Sequence, residues 1–397
     1  MSIWQNIVVN LNGCVRISGL KVRIVADRNI VGLQEIIGPI ADLTMVEGRN
    51  LKNFQLRNAD ILLTRSVTEI NRELLANTSV AFVGSATSGQ DHIDLEYLES
   101  AGIGFGTAPG CNANSVVEYV ISVLANIKNV LEGLFEGDSV GIVGFGRIGS
   151  LLAKRLTSMG ISVVAYDPLI PQHTSRYLGS FEEVLNCKVI SLHTPLTEKG
   201  RYPSFHQFNL KVLEKLNAGT VLINTGRGAV VDNEALLTIL LRGSDLKVAL
   251  DVWEREPGIS VELANLCVLS TPHVAGYSYD GRLAATYILY QHICRYFKIN
   301  PTYIKTEPNG EPLNLHFTES PAIAVRDVIN SVYDVRNDDQ KLRMVLANDD
   351  REERAKGFDQ IRKDYHQRRE IKSSKWDATF QVTPSQRKLL VAMGCAI

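Results

Sequence analysis

The feature that most constrains the fold is a glycine-rich turn between an apolar strand and a helix, in the stretch SVGIVGFGRIGSLLAKRLTSMGISVVAYD. Its glycines form the pattern GxGxxG at Gly144, Gly146 and Gly149. The apolar residues before the turn predict a strand, the residues over about 147–159 predict a helix, and a second strand ends at Asp167, 18 residues after the last glycine. This order predicts a βαβ unit whose turn lies at the carboxyl end of the first strand.

The turn has the geometry that a dinucleotide requires. In such a unit the first glycine permits the tight turn, the second lets the backbone approach a pyrophosphate, and the third lets the helix pack closely on the strand. We therefore predict a dinucleotide site formed by Gly144, Gly146, Arg147, Ile148 and Gly149. Asp167 would accept hydrogen bonds from the ribose hydroxyls and repel a 2′-phosphate, which favours NAD over NADP.

The rest of the chain up to about residue 298 alternates apolar strands with helical segments. KVRIVAD from Lys21 to Asp27, ADILLTRSVTEI and TSVAFVGSAT predict strands, and NANSVVEYVISVLANIKNVL predicts a long helix over 112–131. Three later strands, KVISLHT, TVLINTG and KVALDVW, each end in polar residues. Because ligands bind at the carboxyl edge of an open parallel sheet, these ends predict a site. The pattern as a whole predicts an α/β fold with two Rossmann-like, doubly wound parallel sheets.

The composition changes near the C-terminus. NPTYIKTEPNGEPLNLHFTES is polar, and the charged stretch NDDREERAKGFDQIRKDYHQRRE has helical composition with charges of alternating sign. Such a pattern is typical of a helix face in contact with solvent. We interpret this segment as a small third domain or an interaction module.

Charge and cysteine content exclude several classes of protein. The formal net charge is −1, which gives no reason to expect nucleic acid or an anionic membrane as a partner. The six cysteines form no CxxC pair, which favours a reducing compartment and predicts no metal site. The first twenty residues lack the basic start and apolar stretch of a signal peptide, and no apolar run reaches 18 residues. A cytoplasmic protein without a membrane span is the expectation.

Polar residues at strand ends predict a reaction centre. Arg227 lies between two glycines in INTGRGAVVD, where its planar fork is placed to bind a carboxylate. LDVWEREP places Asp251 at a strand end and Glu256 before a proline, and His273 follows in TPHVAGY. A histidine that takes a proton from an alcohol needs a carboxylate to orient it, and Glu256 is the natural candidate. His206, in YPSFHQFN, is interpreted as a loop or packing residue.

Over about residues 58–298 these motifs, in this order, resemble the D-isomer-specific 2-hydroxyacid dehydrogenase family. The resemblance implies that His273 is the acid/base that accepts the C2 hydroxyl proton while hydride leaves C2 for the nicotinamide of NAD. It also implies that Glu256 holds and polarises His273, and that Arg227 binds the substrate carboxylate and the developing carbonyl.

A narrower resemblance, in ILLTRSVTEIN, FVGSATSGQDHID and APGCNANSVVEY, is to the branch of the family that oxidises 4-phospho-D-erythronate on the route to pyridoxal 5′-phosphate. It implies substrate contacts at Ser66, Thr87 and Tyr277, and cofactor contacts at Asp167, Thr194, Asp251 and Gly276. To these we add Arg65, a cation beside Ser66 that would meet the substrate carboxylate or phosphate, or form an interdomain salt bridge.

The same resemblance implies a domain plan. Residues 1–20 form a leader of unclear role, residues 21–113 with 278–305 a discontinuous substrate-binding domain, and residues 114–277 an NAD-binding Rossmann domain. Residues 306–397 resemble a small α+β dimerisation domain, which implies a homodimer.

Three other functions share parts of this pattern. A 3-phosphoglycerate dehydrogenase or a glyoxylate/hydroxypyruvate reductase would carry the same Arg, Glu and His, but the C-terminal domain and TRSVTEI disfavour both. A non-catalytic NADH-sensing scaffold would also retain these residues, so only turnover separates it from an enzyme. A purely structural interaction protein would not need the three residues together.

Overall fold

The computed structural model describes residues 7–9, 15–17, 22–304, 312–313, 320–376 and 382–395. The chain divides into two compact units. The first comprises Met1–Asn112 with Tyr279–Glu307, and the second comprises Ala113–Ser278 with Pro308–Ile397. The C-terminal segment is thus grouped with the unit that carries the glycine turn, and its status as a separate domain stays a prediction.

Two short strands precede the first unit's main sheet. Strand β1 (Ile7–Val9) pairs antiparallel with β2 (Val15–Ile17). The other residues of the predicted leader, 1–20, lie outside the described residues.

A five-stranded parallel sheet forms the centre of the first unit. Its strands are β3 (Val22–Asp27), β4 (Ala41–Val46), β5 (Ile61–Thr64), β6 (Phe82–Ser85) and β7 (Gly104–Thr107), in the order β4-β3-β5-β6-β7. The helices between them are α1 (Leu33–Ile36), α2 (Arg72–Leu75) and α3 (Leu95–Ser100). Ile61 and Leu63 pack into one apolar cluster and Leu62 into another, so both faces of β5 are covered. This explains why the strand is a continuous apolar run.

The second unit begins with two helices where the sequence predicts one. Helix α4 (Ala113–Asn126) is followed by α5 (Val130–Glu136), so the predicted helix over 112–131 is wrong at its C-terminal end. The break occurs because Asn129 has φ 62°, in the left-handed region, which asparagine adopts more readily than most residues.

The second unit contains a six-stranded parallel sheet. The strands are β8 (Ser139–Val143), β9 (Ser162–Tyr166), β10 (Val189–Leu192), β11 (Val221–Asn224), β12 (Lys247–Leu250) and β13 (Leu269–Ser270), in the order β13-β12-β11-β10-β8-β9. The helices are α6 (Arg147–Ser158), α7 (Phe181–Leu185), α8 (Leu210–Leu213), α9 (Asn233–Leu241) and α10 (Val261–Leu266). The strand order reverses between β8 and β10, and ligands bind beyond the carboxyl ends of the strands at such a point. The doubly wound α/β fold predicted from the sequence is confirmed in both units.

The chain then returns to the first unit through α11 (Tyr279–Phe297), which packs on β7 and α1. Leu289 and Ile293 of this helix are fully buried among residues of β3 and β5. The discontinuous substrate-binding domain that the resemblance implies stays a prediction.

The described part of the C-terminal segment is mainly helical. It contains α12 (Pro321–Val332), α13 (Arg336–Leu346), α14 (Arg351–Lys363) and α15 (Pro384–Met393), with the short parallel strands β14 (Pro312–Leu313) and β15 (Lys375–Trp376). Helix α12 packs on α4, and α15 packs on α6 and α12. Val325, Ile329 and Met393 complete the apolar cluster beneath α4 and α6. The segment therefore contributes to the hydrophobic core of the second unit.

The charged stretch at 348–370 differs in part from its prediction. Helix α14 exposes most of its charges, as expected for a solvated face, but Arg368 and Glu370 beyond it are buried. Arg368 Nη2 donates to Ser115 O at 2.7 Å, and Glu370 Oε1 accepts from Ser278 Oγ at 2.8 Å. These partners are distant in sequence, which is why the charge pattern alone did not predict the burial.

No helix of the described residues is both long enough and apolar enough to cross a membrane.

Candidate active site

The glycine turn after β8 is built by close approaches that only glycine permits. Gly144 has φ 91°, and a Cβ there would lie 2.9 Å from the His193 carbonyl carbon. A Cβ at Gly149 would lie 2.0 Å from Gly144 O, so the helix could not pack where it does. A Cβ at Gly146 would meet nothing within 4 Å. The turn is therefore closely packed against neighbouring backbone at Gly144 and Gly149 and has open space at Gly146. Helix α6 begins directly after Gly146, with Arg147 and Ile148.

Asp167 follows β9 and ties its end to the glycine turn. Its Oδ2 accepts a hydrogen bond from Phe145 N at 2.9 Å, and its Oδ1 accepts one from Leu169 N at 3.0 Å. Each carboxylate oxygen keeps a free acceptor site, because a carboxylate oxygen accepts up to two hydrogen bonds. Its role at the ribose stays a prediction.

Thr194 lies beyond β10, on the other side of the point where the strand order reverses. Its Oγ1 is buried and has no hydrogen-bond partner among the described residues. Its backbone N lies 3.0 Å from the position of a Cβ at Gly144, so this hydroxyl belongs to the same edge as the glycine turn. A buried hydroxyl without a partner is costly, and a polar group of a bound ligand would satisfy it. The residues present therefore fit a dinucleotide.

Asp251 is buried at the end of β12 and organises the loop that carries His273. Its Oδ1 accepts hydrogen bonds from Thr271 Oγ1 at 2.6 Å and Val274 N at 2.8 Å, and its Oδ2 accepts one from Ala275 N at 2.9 Å. Burial raises the pKa of Asp251, although these hydrogen bonds and the nearby His273 oppose the rise. The predicted cofactor contacts of Asp251 and of Gly276, which lies in the following turn, stay predictions.

His273 and Glu256 form a hydrogen-bonded pair. His273 Nδ1 lies 2.7 Å from Glu256 Oε2, and Glu256 Oε1 accepts from Trp253 N at 2.8 Å. Burial, the largest effect, raises the pKa of Glu256, but the charge and hydrogen bond of His273, the hydrogen bond from Trp253 N and the charge of Arg362 together lower it overall. An ionised carboxylate at Nδ1 assigns the proton to that nitrogen and leaves Nε2 for chemistry.

Arg227 follows β11 in a loop stabilised by Asn224. Asn224 Nδ2 donates to Arg227 O at 2.9 Å, and Asn224 Oδ1 accepts from Gly226 N at 3.1 Å. A Cβ at Gly228 would lie 2.0 Å from the Trp253 carbonyl carbon, so only glycine lets this loop pack on the chain that leads to Glu256.

Arg227, Glu256 and His273 line one cavity of about 520 Å³ in the second unit. The structure thus brings together the three residues that the sequence placed at separate strand ends. An arginine fork and an oriented imidazole in one cavity can bind a carboxylate and exchange a proton with a neighbouring hydroxyl.

His206 lies in the same cavity and has a larger part in it than its interpretation as a loop or packing residue suggests. His206 Nε2 is 2.5 Å from Glu254 Oε1, and Nδ1 is 3.6 Å from Asp232 Oδ2. Glu254 lies two residues before Glu256, so His206 anchors the chain that carries Glu256. Sequence reasoning missed this pair because nothing in YPSFHQFN indicates a partner 48 residues away.

The predicted substrate residues of the first unit lie at the carboxyl ends of its strands. Arg65 and Ser66 follow β5, and Thr87 follows β6. Arg65 Nε lies 2.9 Å from Oδ2 of the buried Asp27, so Arg65 forms a salt bridge within the first unit. Thr87 Oγ1 donates to Gly89 O at 2.9 Å. The substrate contacts of these residues stay predictions.

Tyr277, the predicted substrate residue of the second unit, contacts the C-terminal segment. Its hydroxyl lies 3.4 Å from Arg362 Nη2, and its ring packs edge-on against Tyr365 with centroids 5.5 Å apart.

Among the residues that the structure describes, no group of three or more His, Cys, Asp or Glu side chains is placed to hold a metal ion.

The doubly wound sheet, the open glycine turn and the cavity with an arginine and a His–Glu pair together define a class: a nicotinamide-nucleotide dehydrogenase of hydroxy acids. Comparison with known proteins agrees. The family model described as D-isomer specific 2-hydroxyacid dehydrogenase, NAD binding domain, matches residues 125–275, and a domain of unknown function matches residues 311–394.

Relatives of nearly the same length narrow the assignment within this class. An erythronate-4-phosphate dehydrogenase of Hahella chejuensis is 46% identical over 87% of this chain and 92% of its own. One of Cellvibrio japonicus is 43% identical over 88% of this chain and 93% of its own. The chain therefore belongs to the D-isomer specific 2-hydroxyacid dehydrogenase family, in the branch of the erythronate-4-phosphate dehydrogenases.

Solved structures share the fold. D-lactate dehydrogenase from Aquifex aeolicus, complexed with NAD and lactic acid, matches with a TM-score of 0.59 and 24% identity over 70% of this chain and 95% of that one. NAD-bound 3-phosphoglycerate dehydrogenase from Entamoeba histolytica matches with a TM-score of 0.59 and 23% identity over 72% and 99% of the two chains. The second unit of this protein contains an NAD-binding domain.

Proposed function

We propose that this protein oxidises the C2 hydroxyl of 4-phospho-D-erythronate with NAD and forms (R)-3-hydroxy-2-oxo-4-phosphooxybutanoate on the route to pyridoxal 5′-phosphate. The observation that carries the proposal is the His273–Glu256 hydrogen bond in the cavity that Arg227 lines. The substrate follows from relatives named erythronate-4-phosphate dehydrogenase that are 46% and 43% identical.

His273 is the acid/base of the reaction. Nε2 accepts the C2 hydroxyl proton, the oxygen becomes a carbonyl, and the electron pair of the C2–H bond leaves as hydride. The ionised Glu256, 2.7 Å from Nδ1, stabilises the imidazolium that forms. NAD, when bound, supplies the nicotinamide ring that accepts the hydride.

Arg227 binds the substrate carboxylate. Its guanidinium is a planar, permanently charged donor group that matches two carboxylate oxygens, which fixes C2 relative to His273. As the C2 oxygen becomes a carbonyl, the same positive charge polarises it. Ser66, Thr87 and Tyr277, which the family resemblance singles out, supply further substrate contacts.

The cofactor is held at the carboxyl edge of the six-stranded sheet, where the glycine turn, Asp167 and Thr194 lie. The amides of the glycine turn and of the first turn of α6 receive the pyrophosphate, because the N-terminus of a helix favours anions. Asp167 accepts hydrogen bonds from the ribose, and the unsatisfied hydroxyl of Thr194 receives a polar group of the cofactor.

We further propose that the protein is a cytoplasmic homodimer that associates through its C-terminal segment. Its cysteine pattern supports a reducing compartment. The exposed, charged surface of α14 is available for contact with a second copy.

The test is product formation by the purified protein with NAD and one substrate at a time. The substrates are 4-phospho-D-erythronate, D-erythronate, D-3-phosphoglycerate and D-lactate, and the 2-keto product is measured as its phenylhydrazone. An α-keto acid acceptor is added in parallel to reoxidise NADH that stays bound.

Selective turnover of 4-phospho-D-erythronate is the expected result. Preference for another acid would leave the proposed fold, cofactor and roles of Arg227, Glu256 and His273 in place and would replace only the proposed substrate. Tight NADH binding without turnover of any substrate would contradict the proposed enzymatic activity and favour a non-catalytic NADH-sensing scaffold.

A further inference from the structure

Helix α14 of the C-terminal segment brings an arginine to the loop that follows His273. Arg362 Nη2 lies 3.4 Å from the hydroxyl of Tyr277, and its guanidinium carbon lies 6.0 Å from the centre of the Tyr277 ring. Tyr277 is four residues beyond His273, so Arg362 lies next to the chain that carries the acid/base.

Arg362 is a mostly buried cation with unused donors. Its side chain is 19% exposed, and its Nε is buried without a hydrogen-bond partner among the described residues. The carboxylate of Asp359 is 3.6 Å from Nη1, which is too long for a good hydrogen bond. Burying a charge without full hydrogen bonding is costly, and an anionic ligand would offset this cost.

The electrostatics of the site support this placement. Burial, the largest effect, lowers the pKa of Arg362, but Tyr277, Glu256 and Asp359 together raise it overall. Arg362 in turn contributes to the lowered pKa of Glu256. The positive charge of Arg362 and the negative charge of Glu256 therefore favour each other's ionised forms.

The proposed substrate has two anionic ends. Arg227 is assigned to the carboxylate, and a phosphate with a charge of about −1.5 to −2 requires a second cation. Arg255 lines the same cavity, but its side chain is 76% exposed and lies 3.7 Å from Glu234. Arg65 is engaged by Asp27 at 2.9 Å. Among these arginines, Arg362 combines burial, proximity to Tyr277 and unused donors.

We propose that Arg362 is a specificity-determining residue that binds the phosphate of the substrate, next to Tyr277. The proposal rests on the proposed function, because it requires a phosphorylated 2-hydroxy acid as substrate. It gives the domain of unknown function at residues 311–394 a direct part in substrate recognition.

The experiment compares full-length wild type, Arg362→Gln, Arg362→Lys and the control Arg255→Gln. For each protein, kcat/KM is measured with 4-phospho-D-erythronate and with D-erythronate, and NADH binding is measured by fluorescence. The inhibition constant of inorganic phosphate, competitive with substrate, gives a second measure that needs no turnover of D-erythronate.

Arg362→Gln is expected to lower the ratio of the two kcat/KM values by about 10- to 100-fold, the effect of one lost hydrogen bond to a charged group. It should weaken phosphate inhibition to a similar extent and leave NADH binding within about twofold. Arg362→Lys should recover part of the ratio, because it keeps the charge but loses the fork. Arg255→Gln should leave the ratio unchanged.

Equal losses with both substrates, with phosphate inhibition unchanged, would overturn the proposal and leave Arg362 as a support for the Tyr277 loop. A fall in the ratio with Arg255→Gln, but not with Arg362→Gln, would also overturn it. A wild-type enzyme that does not prefer the phosphorylated substrate contradicts the proposed function itself, and this is known before any variant is measured.

Discussion

Two histidine–glutamate pairs lie in one cavity, and their surroundings give them different roles. Glu256, the partner of His273, also accepts a hydrogen bond from Trp253 N, and its pKa is lowered. His206 is paired with Glu254 and lies near a second carboxylate, Asp232. We assign acid/base chemistry to His273 and an anchoring role to His206.

Asparagine variants of the two histidines test this assignment. His273 and His206 both have positive φ, 58° and 49°, and asparagine tolerates this region, so the backbone is conserved in both variants. His273→Asn should lower kcat by about 10²- to 10⁴-fold, because proton transfer is lost, and leave NADH affinity within about twofold. His206→Asn should lower kcat/KM by less than about tenfold. Steady-state kinetics and fluorescence titration measure both effects.

Equal losses in the two variants would contradict the assignment, and lost NADH binding in His273→Asn would show that this residue is structural.

The sequence singled out Arg227, Glu256 and His273, which line one cavity, because each follows a strand and has glycine or proline beside it. Their catalytic roles stay predictions. The sequence was not sufficient for His206 or Arg362, whose partners are brought close only by tertiary structure. Alternating charge in the 348–370 stretch described the exposed face of α14 correctly and missed the buried Arg368 and Glu370. An alternating charge pattern predicts which side chains of one helix are exposed, whereas the burial of a residue beyond that helix depends on the elements that pack against it.

At the scale of elements, two glycines of the turn between β8 and α6 have different roles. One is required for the packing of the helix, and the other is expected to be required for cofactor binding. A Cβ at Gly149 would clash with Gly144 O at 2.0 Å, whereas a Cβ at Gly146 would enter open space. Gly149→Ala should therefore lower the melting temperature by several degrees or prevent folding. Gly146→Ala should leave the melting temperature within about 2 °C and raise KM for NAD by about tenfold or more, because the methyl group occupies the approach of the pyrophosphate.

Thermal unfolding and NAD titration of the two variants provide the test. If Gly146→Ala binds NAD normally, the pyrophosphate does not lie at this turn.

Helix α4 contains a buried carboxyl group whose ionisation opposes folding. Glu118 is fully buried and accepts hydrogen bonds at Oε1 from Asn114 Nδ2 at 3.0 Å and Ile371 N at 2.9 Å. Burial, with a smaller effect of Glu370, raises the pKa of Glu118 to about 8. The folded state therefore binds a proton that the unfolded state releases above about pH 4.5, and stability falls as pH rises from about 4.5 to about 8.

Glu118→Gln removes this ionisation and keeps the shape and the acceptor oxygen. Its free energy of unfolding should exceed that of wild type by about 1–3 kcal/mol at pH 8, with the difference much smaller at pH 5. Urea unfolding at both pH values measures this. A variant that is less stable than wild type at pH 8 would show that the ionised carboxylate stabilises the fold.

At the scale of the whole molecule, the order of elements was largely predictable from the sequence. The βαβ unit and eight of the eleven strands of the two sheets follow from apolar periodicity, whereas β4, β7 and β13 were not predicted from the sequence. The break at Asn129 was not predicted, because the apolar pattern continues across it. The packing of α12 on α4 and of α15 on α6 was also not predicted, because it depends on contacts between residues far apart in sequence.

The proposed homodimer predicts a particle of twice the 43.9 kDa of one chain. Size-exclusion chromatography with light scattering, at micromolar and submicromolar protein, measures the mass directly. A monomer throughout this range would contradict the dimer and leave the C-terminal segment with its packing and proposed substrate-binding roles.

The most direct test of the central claim follows the hydrogen at C2. Purified protein is incubated with NAD and 4-phospho-D-erythronate that carries deuterium at C2, and the NADH formed is analysed by mass spectrometry. The NADH is expected to carry the deuterium, and kcat/KM measured with the labelled substrate is expected to be no higher than with the unlabelled one. Unlabelled NADH, or no NADH and no 2-keto product, would contradict hydride transfer from C2 in this site.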